Sequence, residues 1–135
     1  MEKTDNEKIS PNLEMYLETV LLLFKERGTV RITDIAANMN VAKSSVHTAM
    51  HALSDKGLLS QEKYGGVLLT EKGKEYAAGV YARHKGLTAF FERVVGVDAQ
   101  TAAQDACAVE HVISDKSMRN ILKMIKETAN KSPEC

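Results

Sequence analysis

Apolar residues recur at helical spacing along most of this chain and fall into short extended runs in one place only. Leu13, Leu17, Val20 and Phe24 make a stripe that starts behind Ser10-Pro11 and runs to about Arg27. Ser is suited to cap a helix, Pro to its first position, and Gly28 to its end. Val30 to Ile32 predicts a short strand. Thr33 then caps a second helix through Ile35, Ala36, Ala37 and Met39, and Asn40-Val41-Ala42 is a turn. A third helix is predicted from about Lys43 to Lys56, with Val46, Met50 and Leu53 inward, and Gly57 stops it. Leu58–Ser60 and Val67–Leu69 flank Glu62-Lys63-Tyr64-Gly65-Gly66, which predicts a β-hairpin. Thr70 caps a long helix to about Val95, broken by Gly96. A fifth helix runs from about Ala99 to Ile113. Ser114-Asp115 starts a sixth, with Met118, Ile121, Leu122 and Ile125 as its apolar face.

Helix, helix, turn, helix and a two-stranded wing is the order of a winged helix-turn-helix. The third helix of that arrangement enters the DNA major groove and the hairpin tip approaches the backbone. The expected organisation is mainly α: a disordered start over residues 1–9, a winged helix-turn-helix DNA-binding domain over 10–74, a helical domain over 75–129 and a flexible tail over 130–135. On the third helix Lys43, Ser44, Ser45, His47, Thr48 and His51 face outward. Small hydroxyl side chains reach phosphates or base edges and let a helix sit deep in the groove. Lys63 and Tyr64 at the wing tip are placed to reach phosphate. An amphipathic surface helix has a polar outer face in any case, so the assignment rests on the winged order as a whole.

Composition narrows the function class. The 135 residues suit one domain, or one small domain with an appended helical lobe. No apolar run approaches the roughly 18 residues that span a bilayer, and the charged start is not followed by a signal-peptide core; a cytoplasmic location is expected. Two Cys, one of them the last residue, make no disulfide framework. Net charge is zero, but residues 41–90 carry 7 basic and 4 acidic residues, a local +3 joined by His47 and His51. A basic centre in a neutral chain suits DNA.

The chemistry-bearing residues lie on both sides of that centre. Cys107, Glu110 and His111, at i, i+3 and i+4, share one face of a helix, as do Met15 and Glu18 at i, i+3. At about 100° per residue, Met15 and Glu18 fall opposite the Leu13/Leu17/Val20/Phe24 stripe. His84 lies within the Ala77/Val80/Tyr81/Phe91/Val95 face of the long helix, where a lone His is more often a satisfied core residue than a ligand. A thioether, a thiolate, imidazoles and carboxylates together form a borderline-soft donor set. It suits Fe²⁺, Co²⁺, Ni²⁺ or Zn²⁺ better than Mg²⁺ or Ca²⁺, and an all-oxygen/imidazole version tilts toward Mn²⁺. No CxxC pair is present, which argues against a structural zinc site. Cys107 and His111 are spaced as a nucleophile and base, but no oxyanion site or Gly-rich phosphate loop accompanies them. The expectation is therefore a regulator and not an enzyme. A winged-helix regulator sensing redox state through Cys107, or sensing an organic ligand, is the rival.

Leu13-Glu14-Met15-Tyr16-Leu17-Glu18, Leu69-Thr70-Glu71-Lys72-Gly73 and Asp105-Ala106-Cys107-Ala108-Val109-Glu110-His111-Val112-Ile113-Ser114-Asp115 resemble the diphtheria toxin repressor family of metalloregulators, over roughly residues 11–127. The resemblance implies a homodimeric, metal-dependent repressor of metal-uptake genes, with residues 75–129 as a metal-binding and dimerisation domain and helices 5 and 6 as the dimer surface. It implies a pseudo-palindromic double-stranded DNA operator, no membrane and no organic small-molecule ligand. The length matches the short form without the SH3-like domain of the iron-type repressors. The ligands are mixed: Met15 and Cys107 are iron-type choices where the manganese regulators hold carboxylates, whereas Glu18 and His84 match the manganese type. Thr88 and Ala103 stand where the iron type's ancillary site has a carboxylate and a His. The expected metal ligands are Met15, Glu18, His84, Cys107, Glu110 and His111, in one site or one compact binuclear site. Fe²⁺ is the first choice of metal and Mn²⁺ the second.

Overall fold

Ser10 opens the first helix as its sequence position requires: its hydroxyl oxygen accepts the Leu13 N–H at 3.1 Å. The computed structural model describes residues 8–130. Most of the expected start over 1–9 and nearly all of the tail over 130–135 lie outside them. Ile9, expected in the disordered start, is buried, and its N–H donates to the Tyr76 hydroxyl at 3.1 Å. The chain forms two compact units, the first ending at Gly79 and the second beginning at Val80. The first reaches past the expected boundary at residue 74 because Tyr76 and Ala77 pack into its core.

In the first unit α1 (Pro11–Arg27), α2 (Ile32–Met39) and α3 (Lys43–Asp55) pack on one another, followed by the antiparallel strands β1 (Leu59–Gln61) and β2 (Val67–Leu69). Gly28, at φ 83°, ends α1 with its N–H donating to the Phe24 carbonyl at 2.7 Å. Leu17, Val20, Ile35, Val46, Met50, Leu53, Leu58 and Leu59 form the centre of the core. The α1 stripe differs from expectation. Phe24 is exposed, with the Lys74 ammonium 6.0 Å from its ring, while Tyr16, Leu21 and Leu23 are buried. The helix meets neighbours over a wider arc than one apolar stripe covers.

Two local expectations are corrected, and the wing tip adds a feature of its own. The predicted strand over 30–32 shrinks to a single bridge from Arg31 to Gly66, because Ile32 already begins α2. Arg31, not Thr33, is therefore the N-cap: the Asp34 carboxylate reaches back to accept the Arg31 N–H at 3.0 Å. At the wing tip a 3₁₀ turn spans Lys63–Gly65, and Tyr64, not a glycine, takes the left-handed conformation at φ 68°.

The helix α4 (Glu71–Phe90) opens on Thr70, whose hydroxyl oxygen accepts the Gly73 N–H at 3.0 Å. It does not continue as an α-helix to Val95: Phe91–Val95 form a π-helical turn, closed by Gly96 at φ 89°. Val95, expected on the inner face, is exposed. In the second unit α5 (Ala99–Val109) and α6 (Asp115–Asn130) follow. Leu87, Ala106 and Met118 are its buried cluster, flanked by Phe91, Val109, Ile113 and Ile121. Asp98 caps α5, accepting the Thr101 hydroxyl at 2.7 Å and the Thr101 N–H at 3.1 Å. The hydroxyl bond, then the amide bond, hold its carboxyl below the ordinary value of 3.8. Its contribution to stability is thus present above that value and lost as pH falls through the lower folded one. The expected continuation of α5 to Ile113 is not observed. The helix ends at Val109, and Glu110 and His111 lie in the turn beyond it.

Two glycines mark close packing of different kinds. A Cβ on Gly73 would sit 1.8 Å from the Leu58 carbonyl oxygen, which is backbone and has nowhere to move. A Cβ on Gly86 would sit 2.8 Å from Leu122 Cδ2 and 3.0 Å from Met118 Cε, the ends of flexible side chains. Gly73→Ala is expected to destabilise the first unit by about 3 kcal/mol and Gly86→Ala to cost the second only about 1 kcal/mol. Urea denaturation of the two variants checks the order; equal losses would refute it.

Candidate metal centre and nucleic-acid interface

The outward residues of the third helix named from the sequence share one surface. Lys43, Ser44, Ser45, His47, Thr48 and His51 are all exposed on α3, while Val46, Ala49, Met50 and Leu53 turn inward. The Thr48 hydroxyl donates to the Ser44 carbonyl at 3.0 Å, so it meets a ligand as an acceptor. His51 Nε2 is 3.8 Å from the Asp55 carboxylate. Lys63 and Tyr64 are exposed at the wing tip, Tyr64 at 85%. Among the described residues no helix is long and apolar enough to cross a membrane.

The second unit assembles the buried part of the predicted ligand set. His84, half-buried on α4, places Nδ1 2.6 Å from Glu110 Oε1. His111 Nε2 lies 3.2 Å from Glu110 Oε2. One carboxylate thus stands between two imidazoles, and Glu110 is only 1% exposed. Burying a carboxylate is costly unless it is paired and hydrogen-bonded; His84 supplies a hydrogen bond to Oε1, whereas Oε2 and His111 Nε2 lie within ion-pair distance without hydrogen-bonding geometry. The turn after Val109 makes this possible, because it places adjacent residues 110 and 111 both toward the interior. Cys107 shares the spacing but not the environment: it is exposed on α5. Met15 and Glu18 lie in the first unit, on a face of α1 that also carries exposed Leu22; Met15 is exposed and Glu18 half-buried. Two imidazoles and a carboxylate with atoms this close are chemically suited to a divalent transition metal.

Two residues escaped the sequence reading. Glu14 is fully buried in the first unit, and the Tyr76 hydroxyl donates to its carboxylate at 2.7 Å. Its spacing to Leu17 and Leu21 put it on a core-facing row, but a charged residue there is easily read as surface. Arg31 is the second, and the acidic residue three positions on, Asp34, was its one signal.

Two family models match the chain. The iron dependent repressor N-terminal DNA-binding domain matches residues 8–67, and the iron dependent repressor metal-binding and dimerisation domain matches residues 70–133. The HTH-type transcriptional regulator MntR of Bacillus subtilis is 34% identical over 117 residues, covering 87% of this chain and 82% of its own. The chain belongs to the diphtheria toxin repressor family. An uncharacterised HTH-type transcriptional regulator of Methanocaldococcus jannaschii is 33% identical over 114 residues, covering 84% of this chain and 91% of its own. Among solved structures of the family's fold, the manganese regulator SloR superposes with a TM-score of 0.73 at 27% identity, covering 87% of this chain. IdeR of T. acidophilum superposes with a TM-score of 0.74 at 20% identity, covering 84% of this chain. The chain spans 55% and 53% of the lengths of these two structures. The architecture is that of the family: an N-terminal winged helix-turn-helix DNA-binding domain and a C-terminal helical metal-binding and dimerisation domain.

The unequal burial of Glu110 and Cys107 separates two variants in metal-free protein. Glu110→Ala removes the partner of both imidazoles and is expected to destabilise the second unit by about 1–3 kcal/mol. Cys107→Ala changes an exposed side chain and is expected to stay within about 0.5 kcal/mol. Chemical denaturation in the presence of a chelator measures both, and a Cys107→Ala loss as large as that of Glu110→Ala would contradict this reading of the site.

Proposed function

We propose that this protein is a metal-dependent transcriptional repressor that binds a pseudo-palindromic operator as a homodimer and controls metal-uptake genes. The observation that carries the proposal is the buried His84–Glu110–His111 group, lying in the stretch matched by the metal-binding domain of the family. The proposed ligands are Met15, Glu18, His84, Cys107, Glu110 and His111. The proposed DNA contacts are Lys43, Ser44, Ser45, His47, Thr48 and His51 on α3, with Lys63 and Tyr64 on the wing. When bound, a divalent metal supplies a Lewis-acidic centre for these donors.

The residues then act by linkage. His84, Cys107, Glu110 and His111 belong to the helical domain, and Met15 and Glu18 to the first helix of the DNA-binding domain. A ligand set drawn from both domains favours one arrangement of the recognition helices only through its differential affinity for that arrangement. Two recognition helices in a dimer read half-sites about one turn apart, or a multiple of it. Fe²⁺ is the first choice, because the Met15 thioether and the Cys107 thiolate are soft donors. A second reading, Mn²⁺, is favoured by the second unit itself: its buried donors are imidazole and carboxylate, and its sulfur donor is exposed. Among the relatives, MntR is named an HTH-type transcriptional regulator and SloR is titled a manganese regulator, which supports the regulatory reading.

The test is fluorescence anisotropy of a duplex selected by the protein from a random library, with Fe²⁺ under anaerobic conditions, Mn²⁺, Zn²⁺ or chelator. Binding in chelator equal to that in metal would remove metal from the switch. Glu110→Ala and Cys107→Ala are expected to abolish metal-dependent binding while the dimer persists. Either variant responding at the wild-type metal concentration would refute its assignment. Cys107→Glu combined with Met15→Asp is expected to move the preferred metal toward Mn²⁺. An unchanged ranking of activating metals would show that selectivity resides elsewhere.

A further inference from the structure

The wing tip holds an unusual backbone. Tyr64 is at φ 68° and ψ 24°, the left-handed region that disfavours side-chain-bearing residues, although Gly65 and Gly66 are the next two residues. Such a conformation persists only where surrounding contacts over-determine it. Here a specific contact does so. The Arg31 guanidinium donates to the Tyr64 carbonyl at 2.5 Å. Arg31 is itself fixed at its backbone: its N–H donates to the Asp34 carboxylate at 3.0 Å, and it forms the bridge to Gly66. The other Asp34 oxygen lies 2.9 Å from the Arg27 guanidinium. Beside the bridge, the Val67 N–H donates to the Val30 carbonyl at 2.9 Å, and within the tip the Glu62 N–H donates to the Gly66 carbonyl at 2.8 Å.

These bonds join the N-terminus of α2, the first helix of the helix-turn-helix pair, to the end of the wing. The tip is therefore referenced to the element that positions α3. With its carbonyl held, Tyr64 leaves its ring 85% exposed. A large aromatic side chain that packs on nothing, on a backbone constrained from beneath, is arranged to meet a partner.

We propose that Arg31 is a positioning residue for DNA binding: it clamps the wing tip to α2 so that Tyr64 is presented to the sugar-phosphate backbone. This role rests on the DNA-binding reading above, and it differs from a phosphate contact by Arg31 itself. Lysine keeps the charge but lacks the planar fork, so it cannot reproduce the clamp. A direct phosphate contact would survive in part in Arg31→Lys and would contribute about one unit to the salt slope.

The test uses the full chain, the activating metal and the library-selected duplex. Arg31→Lys and Arg31→Ala are both expected to weaken binding about three- to tenfold, the scale of one lost hydrogen bond. The slope of log affinity against log salt should stay at the wild-type value. Tyr64→Gly should weaken binding even though glycine suits the left-handed backbone. Without DNA, hydrogen exchange at the Glu62 and Val67 amides should accelerate in both Arg31 variants while α3 amides keep their protection. Wild-type affinity in Arg31→Lys, or a slope reduced by about one in Arg31→Ala, would overturn the clamp in favour of a direct contact. Unchanged exchange at the wing would overturn it whatever the DNA result. Failure of the wild-type chain to bind any duplex would sink the DNA reading and this role with it, and altered wing exchange in the same protein would locate the failure in the reading rather than in the clamp.

Discussion

A carboxylate withdrawn from water has to be met by donors, and in the second unit Glu110 sets that requirement. Its side chain is almost completely buried, hydrogen-bonded to His84 on one oxygen and within ion-pair distance of His111 on the other. Two helices and a turn are thereby committed. The α4 helix must bring His84 within 2.6 Å, and α5 must end at Val109 so that residues 110 and 111 can both turn inward. The apolar cluster of Leu87, Ala106 and Met118 supplies the close packing around this polar group. Gly86 lets Met118 and Leu122 approach α4 closely.

The first unit follows a different rule. Its core is aliphatic, and its few polar anchors lie at element ends: Ser10 under α1, Asp34 reaching back to Arg31 at α2, Thr70 under α4. Each meets an amide that a helix start leaves without an intrahelical partner. Capping of this kind fixes where helices begin, and so leaves α3 with an inner face of Val46, Ala49, Met50 and Leu53 and an outer face of small hydroxyls, imidazoles and Lys43. The buried Glu14–Tyr76 pair is the exception, a carboxylate that ties α1 to the beginning of α4 inside the unit.

The two units therefore store different chemistry. One presents a polar surface with the side chains inside it held by apolar contact, which suits contact with an extended partner. The other sequesters titratable groups where water is scarce, which suits an ion. Family membership joins these two chemistries in one chain, with a DNA-binding domain over the first unit and a metal-binding and dimerisation domain over most of the rest.

Periodicity alone determined the number, order and type of the helices and the place of the wing, because helical spacing of apolar residues and the Ser, Thr, Pro and Gly signals at helix ends are local properties. The spacing of Met15 and Glu18 and of Cys107, Glu110 and His111 likewise marked candidate metal ligands, since i, i+3 and i+4 spacing is itself local. Burial was not local. Helical spacing in the sequence did not foresee that Cys107 is exposed and Glu110 buried, because α5 ends between them and Glu110 meets His84 of α4. Phe24 belongs to the apolar stripe of α1 yet lies outside, and Glu14, which no sequence signal singled out, lies inside, because tertiary neighbours and not the stripe decide which parts of α1 are covered. The left-handed Tyr64 beside two available glycines was decided by Arg31, 33 residues away. No local preference for a backbone conformation can anticipate a guanidinium that only the folded chain brings to that carbonyl.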